Sequence, residues 1–158
     1  MQVVLRCRRL TNLPCLTFVF GSNHPLLSAQ PDGSVQANRF GGAKVWEQWY
    51  MEVLGNENDK EKRNLVAQRS WNGKYLAGTP EGGVRLINDT VCDCEKWKVI
   101  HMYEEWVALQ SFHGMYLCCD DFWQTGKLVT ADRMEANRWE HWMILPVDLV
   151  AIEAASYK

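Results

Sequence analysis

The stretch Trp46-Glu47-Gln48-Trp49 recurs twice further along the chain, as Cys94-Glu95-Lys96-Trp97 and as Trp139-Glu140-His141-Trp142. Each copy places a Glu two residues before a Trp, and the copies lie roughly 45 to 50 residues apart, a spacing typical of repeat architectures. After each Trp the apolar residues alternate, as at Trp49, Met51 and Val53, and this period of two is that of a β-strand. The phrase therefore marks the start of a strand in each of three repeats.

Two further landmarks recur in step with the phrase. A turn followed by Leu precedes each copy, at Leu27, Leu76 and Leu117, and a second turn then supplies Gly33, Gly82 and Gly126. The dipeptide Asn72-Gly73 is a strong hairpin signal. In Pro31-Asp32-Gly33 and Pro80-Glu81-Gly82 the Pro fixes φ and the Gly accepts a positive φ. Each repeat is thus predicted to contain four short strands.

Three four-stranded units predict an all-β protein, specifically a β-trefoil, in which a six-stranded barrel is capped by three hairpins. A propeller does not fit, because it needs at least about four blades. The three units span about residues 16–54, 64–102 and 105–147. We predict one trefoil domain over 16–148, with an N-terminal arm or added strand at 1–15 and a C-terminal tail at 149–158.

Charge and apolar content argue against several classes of partner. The 17 basic and 19 acidic residues give a formal net charge of −2, whereas a dedicated nucleic-acid binder neutralises phosphate with an excess of Lys and Arg. No apolar run approaches the ~18 residues that cross a bilayer, and four His residues are too few for pH-switched membrane docking. We therefore expect neither nucleic acid nor a membrane as partner.

The six cysteines predict neither a disulfide framework nor a metal site. Cys92 and Cys94 are too close in sequence to staple a large loop, and so are Cys118 and Cys119. Their spacing also differs from the Cys-x2-Cys of structural zinc sites. We expect mostly reduced, buried thiols, a cytoplasmic location, and no metal or other cofactor.

The Glu and Trp residues of the phrases admit a catalytic interpretation and a structural one. A carboxyl group beside a buried Trp can have a raised pKa, as a general acid requires. Three equivalent copies favour the structural alternative, in which each Glu accepts backbone N–H groups at the start of a barrel strand and each Trp fills the core. We call this set the Glu–Trp clamp and predict no catalytic residue and no enzymatic activity. The clamp consists of Glu47, Trp49, Glu95, Trp97, Glu140 and Trp142.

Aromatic side chains near turns are candidate contacts with a partner. The loop between the Leu and the Gly is longer in the third repeat than in the other two, and it contains Phe122 and Trp123. In an exposed loop these rings would bind a protein or a sugar; alternatively, they fold back over the barrel end. Trp71 and Phe112, at equivalent turns of the second and third repeats, present the same two alternatives.

Three segments resemble the fascin-like β-trefoil family: the stretch from Val107 to Leu117, the turn Gly82-Gly83-Val84, and the phrase Trp139-Glu140-His141-Trp142. Members of that family are cytoskeletal, so the resemblance implies that the chain binds filamentous actin. A single trefoil would bundle filaments only as a homodimer or through two separate faces. Because the actin surface is acidic, the expected contacts are basic. They are Lys44, Lys74, Arg85, Lys127, Arg133 and Arg138.

A carbohydrate-binding, lectin-like β-trefoil is the alternative. Exposed aromatic rings would stack on sugars, and the Asp32-Gly33 turn supplies the acid with which trefoils tend to pair such a platform. Ricin-type lectins, however, carry Gln-x-Trp where this chain has Glu-x-Trp. The sequence therefore leaves actin and a glycan as rival partners.

Overall fold

The computed structural model describes residues 2–7, 26–39, 44–55, 64–119, 129–136 and 140–146. Within these residues the chain forms twelve β-strands and two short 3-10 turns, η1 (Val45–Glu47) and η2 (Asp93–Glu95). The strands are β1 (Gln2–Cys7), β2 (Leu26–Ala29), β3 (Val35–Arg39), β4 (Trp49–Val53), β5 (Leu65–Arg69), β6 (Leu76–Gly78), β7 (Val84–Leu86), β8 (Trp97–Tyr103), β9 (Trp106–Gln110), β10 (Tyr116–Cys118), β11 (Thr130–Arg133) and β12 (Trp142–Pro146).

Six of these strands close into an antiparallel barrel. β1 pairs with β4, β4 with β5, β5 with β8, and β8 with β9. β12 completes the ring because it pairs with both β9 and β1, for example through Trp142 opposite Val107. The other strands form the hairpins β2–β3, β6–β7 and β10–β11. This is the predicted β-trefoil, and closure leaves the barrel without exposed strand edges.

The first strand corrects the predicted start of the repeats. The sequence pattern places residues 1–15 outside the three units, but Gln2–Cys7 is a barrel strand, and its Val3 and Leu5 are fully buried. The first repeat therefore begins at Gln2 rather than at residue 16. The predicted alternative of an added strand is thus confirmed, but its place in the first repeat was not recognised, because residues 8–25 separate it from β2, whereas a short turn joins β5 to β6. Residues 8–25 and the tail at 149–158 lie outside the described residues.

Backbone hydrogen bonds link the three hairpins to one another around the pseudo-threefold axis. The first hairpin binds the second, the second binds the third, and the third binds the first. The hairpins therefore form one cap rather than three independent ribbons. The donor and acceptor pairs are Leu86 N to Gly33 O (3.0 Å), Ala131 N to Gly82 O (2.9 Å) and Val129 N to Val35 O (3.1 Å).

Each Trp of the Glu–Trp clamp fastens a barrel strand to the hairpin of its own repeat. All three indole rings are fully buried. Each indole N–H donates to the carbonyl of the Leu that opens the hairpin, so the apolar ring and its one polar atom are both accommodated. The bonds are Trp49 Nε1 to Leu27 O (3.0 Å), Trp97 Nε1 to Leu76 O (2.9 Å) and Trp142 Nε1 to Leu117 O (2.9 Å).

The clamp Glu residues are buried too, and a predicted backbone N–H donor is found for Glu47, whereas Glu95 accepts from a side chain. Glu47 accepts the backbone N–H of Lys44 at 3.2 Å and the hydroxyl of Ser28 at 2.7 Å. Glu95 accepts the side-chain amide of Asn88 at 2.7 Å, and its Oε2 has no partner among the described residues. The clamp residues thus occupy equivalent positions in the repeats, whereas the hydrogen-bond donors to the Glu side chains differ between the first and second repeats.

Candidate functional site

Four of the six basic residues expected to contact actin lie within the described residues, each on a different element. Lys44 precedes η1, Lys74 lies in the turn before β6, Arg85 is on β7, and Arg133 ends β11. Arg133 also lies beside an acid, with its Nε 3.5 Å from Asp132 Oδ1. Filament binding through these residues stays a prediction. Four further candidates, Phe122, Trp123, Lys127 and Arg138, lie outside the described residues.

Asp32, the acid expected to accompany an aromatic platform, closes its own turn. Its Oδ1 accepts the Ser34 hydroxyl at 2.7 Å and the Ser34 backbone N–H at 3.0 Å. These hydrogen bonds favour the charged form and lower the pKa of the Asp32 carboxyl below its ordinary value. The side chain is exposed and ionised, and the geometry gives it a local role in the hairpin turn.

Trp71 is held at one edge and open on part of its surface. Its indole N–H donates to Ala29 O at 3.0 Å, and its ring stacks on Trp46 with centroids 6.4 Å apart. Trp71 and Trp46 are 38% and 41% exposed. Trp46 also lines a groove of about 370 Å³ together with Lys44, Val45 and Glu47. The ring of Trp71 is therefore partly packed against the protein and partly exposed to solvent.

Phe112 projects from the equivalent turn of the third repeat and is 60% exposed. The turn is closed by Ser111 N donating to Met115 O at 2.7 Å and by Gly114 N donating to Ser111 O at 3.0 Å. Gly114 has a φ of +83°, which glycine adopts without strain. The His113 ring packs edge-on against Phe112 with centroids 5.4 Å apart. The backbone turn thus fixes an aromatic ring at the surface.

Beside this ring lies a groove of about 330 Å³, which we call the Phe112 groove. Its walls come from β5, from the consecutive elements η2, β8 and β9, and from the turn that carries Phe112. Carboxylate, ammonium and amide groups line the groove together with one aromatic ring, so the groove can combine ring stacking with hydrogen bonding. The lining residues are Leu65, Asp93, Lys96, Lys98, Gln110, Ser111 and Phe112.

The polar groups of the Phe112 groove are only partly paired. Lys96 Nζ lies 3.2 Å from Asp93 Oδ1. The amide nitrogen of Gln110 donates to Gly114 O at 3.1 Å, while its carbonyl oxygen has no partner among the described residues. Lys98 forms no ion pair within the described part of the chain. Donors and acceptors therefore remain available to a ligand.

The same cross-strand position between the first and second repeats holds a different pair of side chains. Tyr50 faces Arg69 across β4 and β5, in the register position that Lys98 and Gln110 hold across β8 and β9. The Arg69 guanidinium lies 5.0 Å above the centre of the Tyr50 ring. The cation of this cross-strand pair is thus held against an aromatic ring. At the third equivalent place, the side chain of Arg6 lies outside the described residues.

The repeats themselves contained a signal for this groove. Aligning the clamp Trp residues pairs Asp93 with Val45 and Lys98 with Tyr50, and the strand registers then pair Gln110 with Arg69. Polar residues of the second repeat, Asp93 and Lys98, thus replace an apolar and an aromatic residue of the first. Phe112 was a candidate at the outset, whereas its neighbours in the groove were missed because each looked like an ordinary surface residue.

The cysteines differ in accessibility. Cys118 and Cys119 are buried, but Cys92 is exposed, in contrast to the expected burial. Cys94 Sγ lies 3.6 Å from His113 Nε2. Burial, reinforced by neighbouring negative charge, raises the pKa of the Cys94 thiol, so the thiol is protonated at neutral pH. Within the described residues, no cluster of three or more His, Cys, Asp or Glu side chains could hold a metal ion.

Among the described residues, no helix is long and apolar enough to span a membrane.

No protein-family model matches the chain, and no curated protein sequence does. Solved structures do match in fold. The designed threefold-symmetric protein ThreeFoil has a TM-score of 0.67 and 16% identity over 92% of this chain and 98% of its own. SeviL, solved with the asialo-GM1 saccharide, has a TM-score of 0.63 and 13% identity over 91% and 95%.

A third match is the GlcNAcα1-4Gal-releasing endo-β-galactosidase of Clostridium perfringens. Its TM-score is 0.66 at 10% identity, and the match covers 92% of this chain but 32% of the enzyme. At these identities the likeness concerns the fold. The fascin-like resemblance therefore stays a prediction, and the structural matches establish that the chain adopts the β-trefoil fold.

Proposed function

We propose that the protein binds carbohydrate in the Phe112 groove. A pyranose ring has a face of C–H groups and a rim of hydroxyls, so its site needs an aromatic face surrounded by polar groups. The observation that carries the proposal is the 60% exposed Phe112 ring in a groove that also holds carboxylate, amide and ammonium groups. A groove of about 330 Å³ lies at the small end of ligand pockets and suits one or two sugar units.

Each lining group has a defined role in this proposal. The Phe112 ring stacks on the C–H face of the sugar, and Asp93 and Gln110 accept hydrogen bonds from its hydroxyls. The ammonium groups of Lys96 and Lys98 donate to sugar oxygens. The closed turn from Ser111 to Met115 holds the ring in place before binding, so little conformational entropy is lost when the ligand arrives.

Other trefoils lend support to a carbohydrate ligand. SeviL was solved with a saccharide, and the Clostridium perfringens match is an endo-β-galactosidase. Because these likenesses concern the fold, the proposal depends on the groove itself. We propose binding without catalysis. Glycosidases place two carboxyl groups about the scissile bond, and the described lining of the groove supplies Asp93, which is already paired with Lys96.

Filament binding by a monomer or a homodimer remains the rival function, implied by the sequence resemblance. A glycan array followed by titration calorimetry tests the proposal, and co-sedimentation with filamentous actin at low and physiological salt tests the rival. We expect array hits, and we expect no pelleting at either salt. An empty array combined with pelleting would refute carbohydrate binding.

The variant F112A tests the site. Losing the stacking face should weaken binding about tenfold, since aromatic stacking contributes roughly 1 to 1.5 kcal/mol. I87A is the matched control, because Ile87 is 57% exposed and does not line the groove. It should bind like the unmodified protein. Unchanged affinity in F112A, or an equal loss in I87A, would contradict the assignment of the site.

A further inference from the structure

The Phe112 groove contains an ammonium group that the protein leaves without a counter-ion. Asp93 and Lys96 neutralise each other at 3.2 Å. Lys98 is exposed, and within the described residues it forms no ion pair. Its cross-strand neighbours, Leu65 on β5 and Gln110 on β9, are both uncharged. The described lining of the groove therefore carries one net positive charge, although the chain as a whole is acidic with a formal charge of −2.

The equivalent place between the first and second repeats shows a different charge balance. There the cation is Arg69, which stacks on Tyr50 and lies 3.9 Å from Glu52 Oε1. That guanidinium already has an aromatic partner and an anionic one. At this cross-strand position, the cation beside Phe112 is therefore the one without an aromatic or an anionic partner among the described residues.

We propose that the Phe112 groove selects an acidic sugar, one that carries a carboxylate or a sulfate, and that Lys98 is the residue that sets this specificity. The inference rests on the proposed carbohydrate binding. Phe112 and Gln110 recognise features that neutral and acidic sugars share, namely C–H faces and hydroxyls. Lys98 adds an interaction that an acidic sugar alone can use, which is how a single charge discriminates between otherwise similar ligands.

Matched ligand pairs test this specificity. Lactose and sialyllactose differ in a carboxylate-bearing sugar, and galactose and galactose sulfate differ in a sulfate, so the two pairs separate the two sources of charge. At low salt the acidic member of at least one pair should bind about two- to fivefold more tightly, the range that a solvent-exposed ion pair contributes. The preference should shrink at high salt because exposed charges are screened.

Three variants assign the effect to a residue. K98Q should remove the preference while leaving the affinity for the neutral sugar unchanged, and K98R should retain the preference because it keeps the charge. R85Q is the control, since it removes an exposed charge outside the groove and should leave the preference intact. Thermal unfolding of each variant confirms that it is folded.

The possible failures are distinguishable. Equal affinity for both members of each pair in the unmodified protein would overturn the acidic specificity and leave carbohydrate binding standing. An undiminished preference in K98Q, or its loss in R85Q, would overturn the role of Lys98. If none of the four sugars binds and the glycan array is also empty, the proposed function itself fails.

Discussion

Replacing Ala77 with Ser should stabilise the protein by supplying a hydrogen bond that the second repeat lacks. Ala77 and Ser28 each follow the Leu whose carbonyl accepts a clamp Trp, so they are equivalent positions. Ser28 Oγ donates to Glu47 Oε2 at 2.7 Å. Ala77 has no hydroxyl to offer, and Oε2 of the fully buried Glu95 has no partner among the described residues. A Ser side chain here should donate to that oxygen.

The expected gain follows from the burial of Glu95. A hydrogen bond to a charged group contributes about 1.5 to 3 kcal/mol to stability. A buried oxygen without a donor lacks this contribution, and a new donor would restore it. Ala77 is itself 6% exposed, so fitting the added hydroxyl into a packed site offsets part of the gain. We expect a net stabilisation of about 1.5 kcal/mol, which for a chain of 158 residues raises Tm by roughly 3 to 6 °C.

Urea and thermal unfolding of A77S, S28A and the unmodified protein measure the effect. S28A removes the donor to Glu47 and should lose about 1 to 3 kcal/mol. Combining A77S with E95Q should diminish the gain, because the acceptor no longer carries a charge. If A77S is neutral or destabilising while S28A is costly, the two repeats are not equivalent at this position. A gain that persists in full with E95Q would mean that the new hydroxyl binds a different acceptor.

Two further predictions concern a close approach and a buried phenol. G82A should cost about 2 kcal/mol or more in urea unfolding, because its Cβ would lie 2.6 Å from Asp132 Cβ and φ is +89°. G73A, with a φ of +85° and open space around it, should lose only about 1 kcal/mol, and equal losses would contradict the steric argument. Burial first, and then the hydrogen bond to Glu52, raise the pKa of Tyr75 above its ordinary 10.0, so the unfolded chain loses this proton before the folded protein does. The stability that Tyr75 contributes is therefore present below pH 10 and lost above it. In Y75F the free energy of unfolding should fall less steeply at alkaline pH. Identical profiles of unfolding free energy against pH for the two proteins would refute the account.

The fold was predictable because the same pattern of strands and turns recurs in three repeats. A weak strand signal in one repeat is supported by the equivalent segments of the other two, and the Glu–Trp clamp fixes the alignment. β1 is the instructive exception. Val3 and Leu5 alternate as a barrel strand requires, but the long connection across residues 8–25 removes the fixed spacing to the first turn. A repeat can be detected from spacing only where the spacing is kept.

The Phe112 groove could not be predicted in the same way. Leu65, Asp93 and Gln110 come close together only when β5, β8 and β9 pair, and no local sequence pattern indicates this proximity. Polar side chains on the outer face of a barrel usually are ordinary solvated groups. The exposure of Phe112 is also set by the geometry of its turn rather than by any periodicity, so the sequence left its two alternatives open.

The residue directly after each clamp Trp shows how this fold separates stability from function. Side chains alternate along a strand, so a Trp that fills the core sends the next side chain to the outer face. The inner position must fill an equivalent space in every repeat, and it is Trp each time. The outer position has no such requirement and holds Tyr50, Lys98 and Met143, which are an aromatic residue, a cation and a thioether. A new ligand chemistry can therefore arise in one repeat without disturbing the barrel, and a binding groove is expected where the repeats differ.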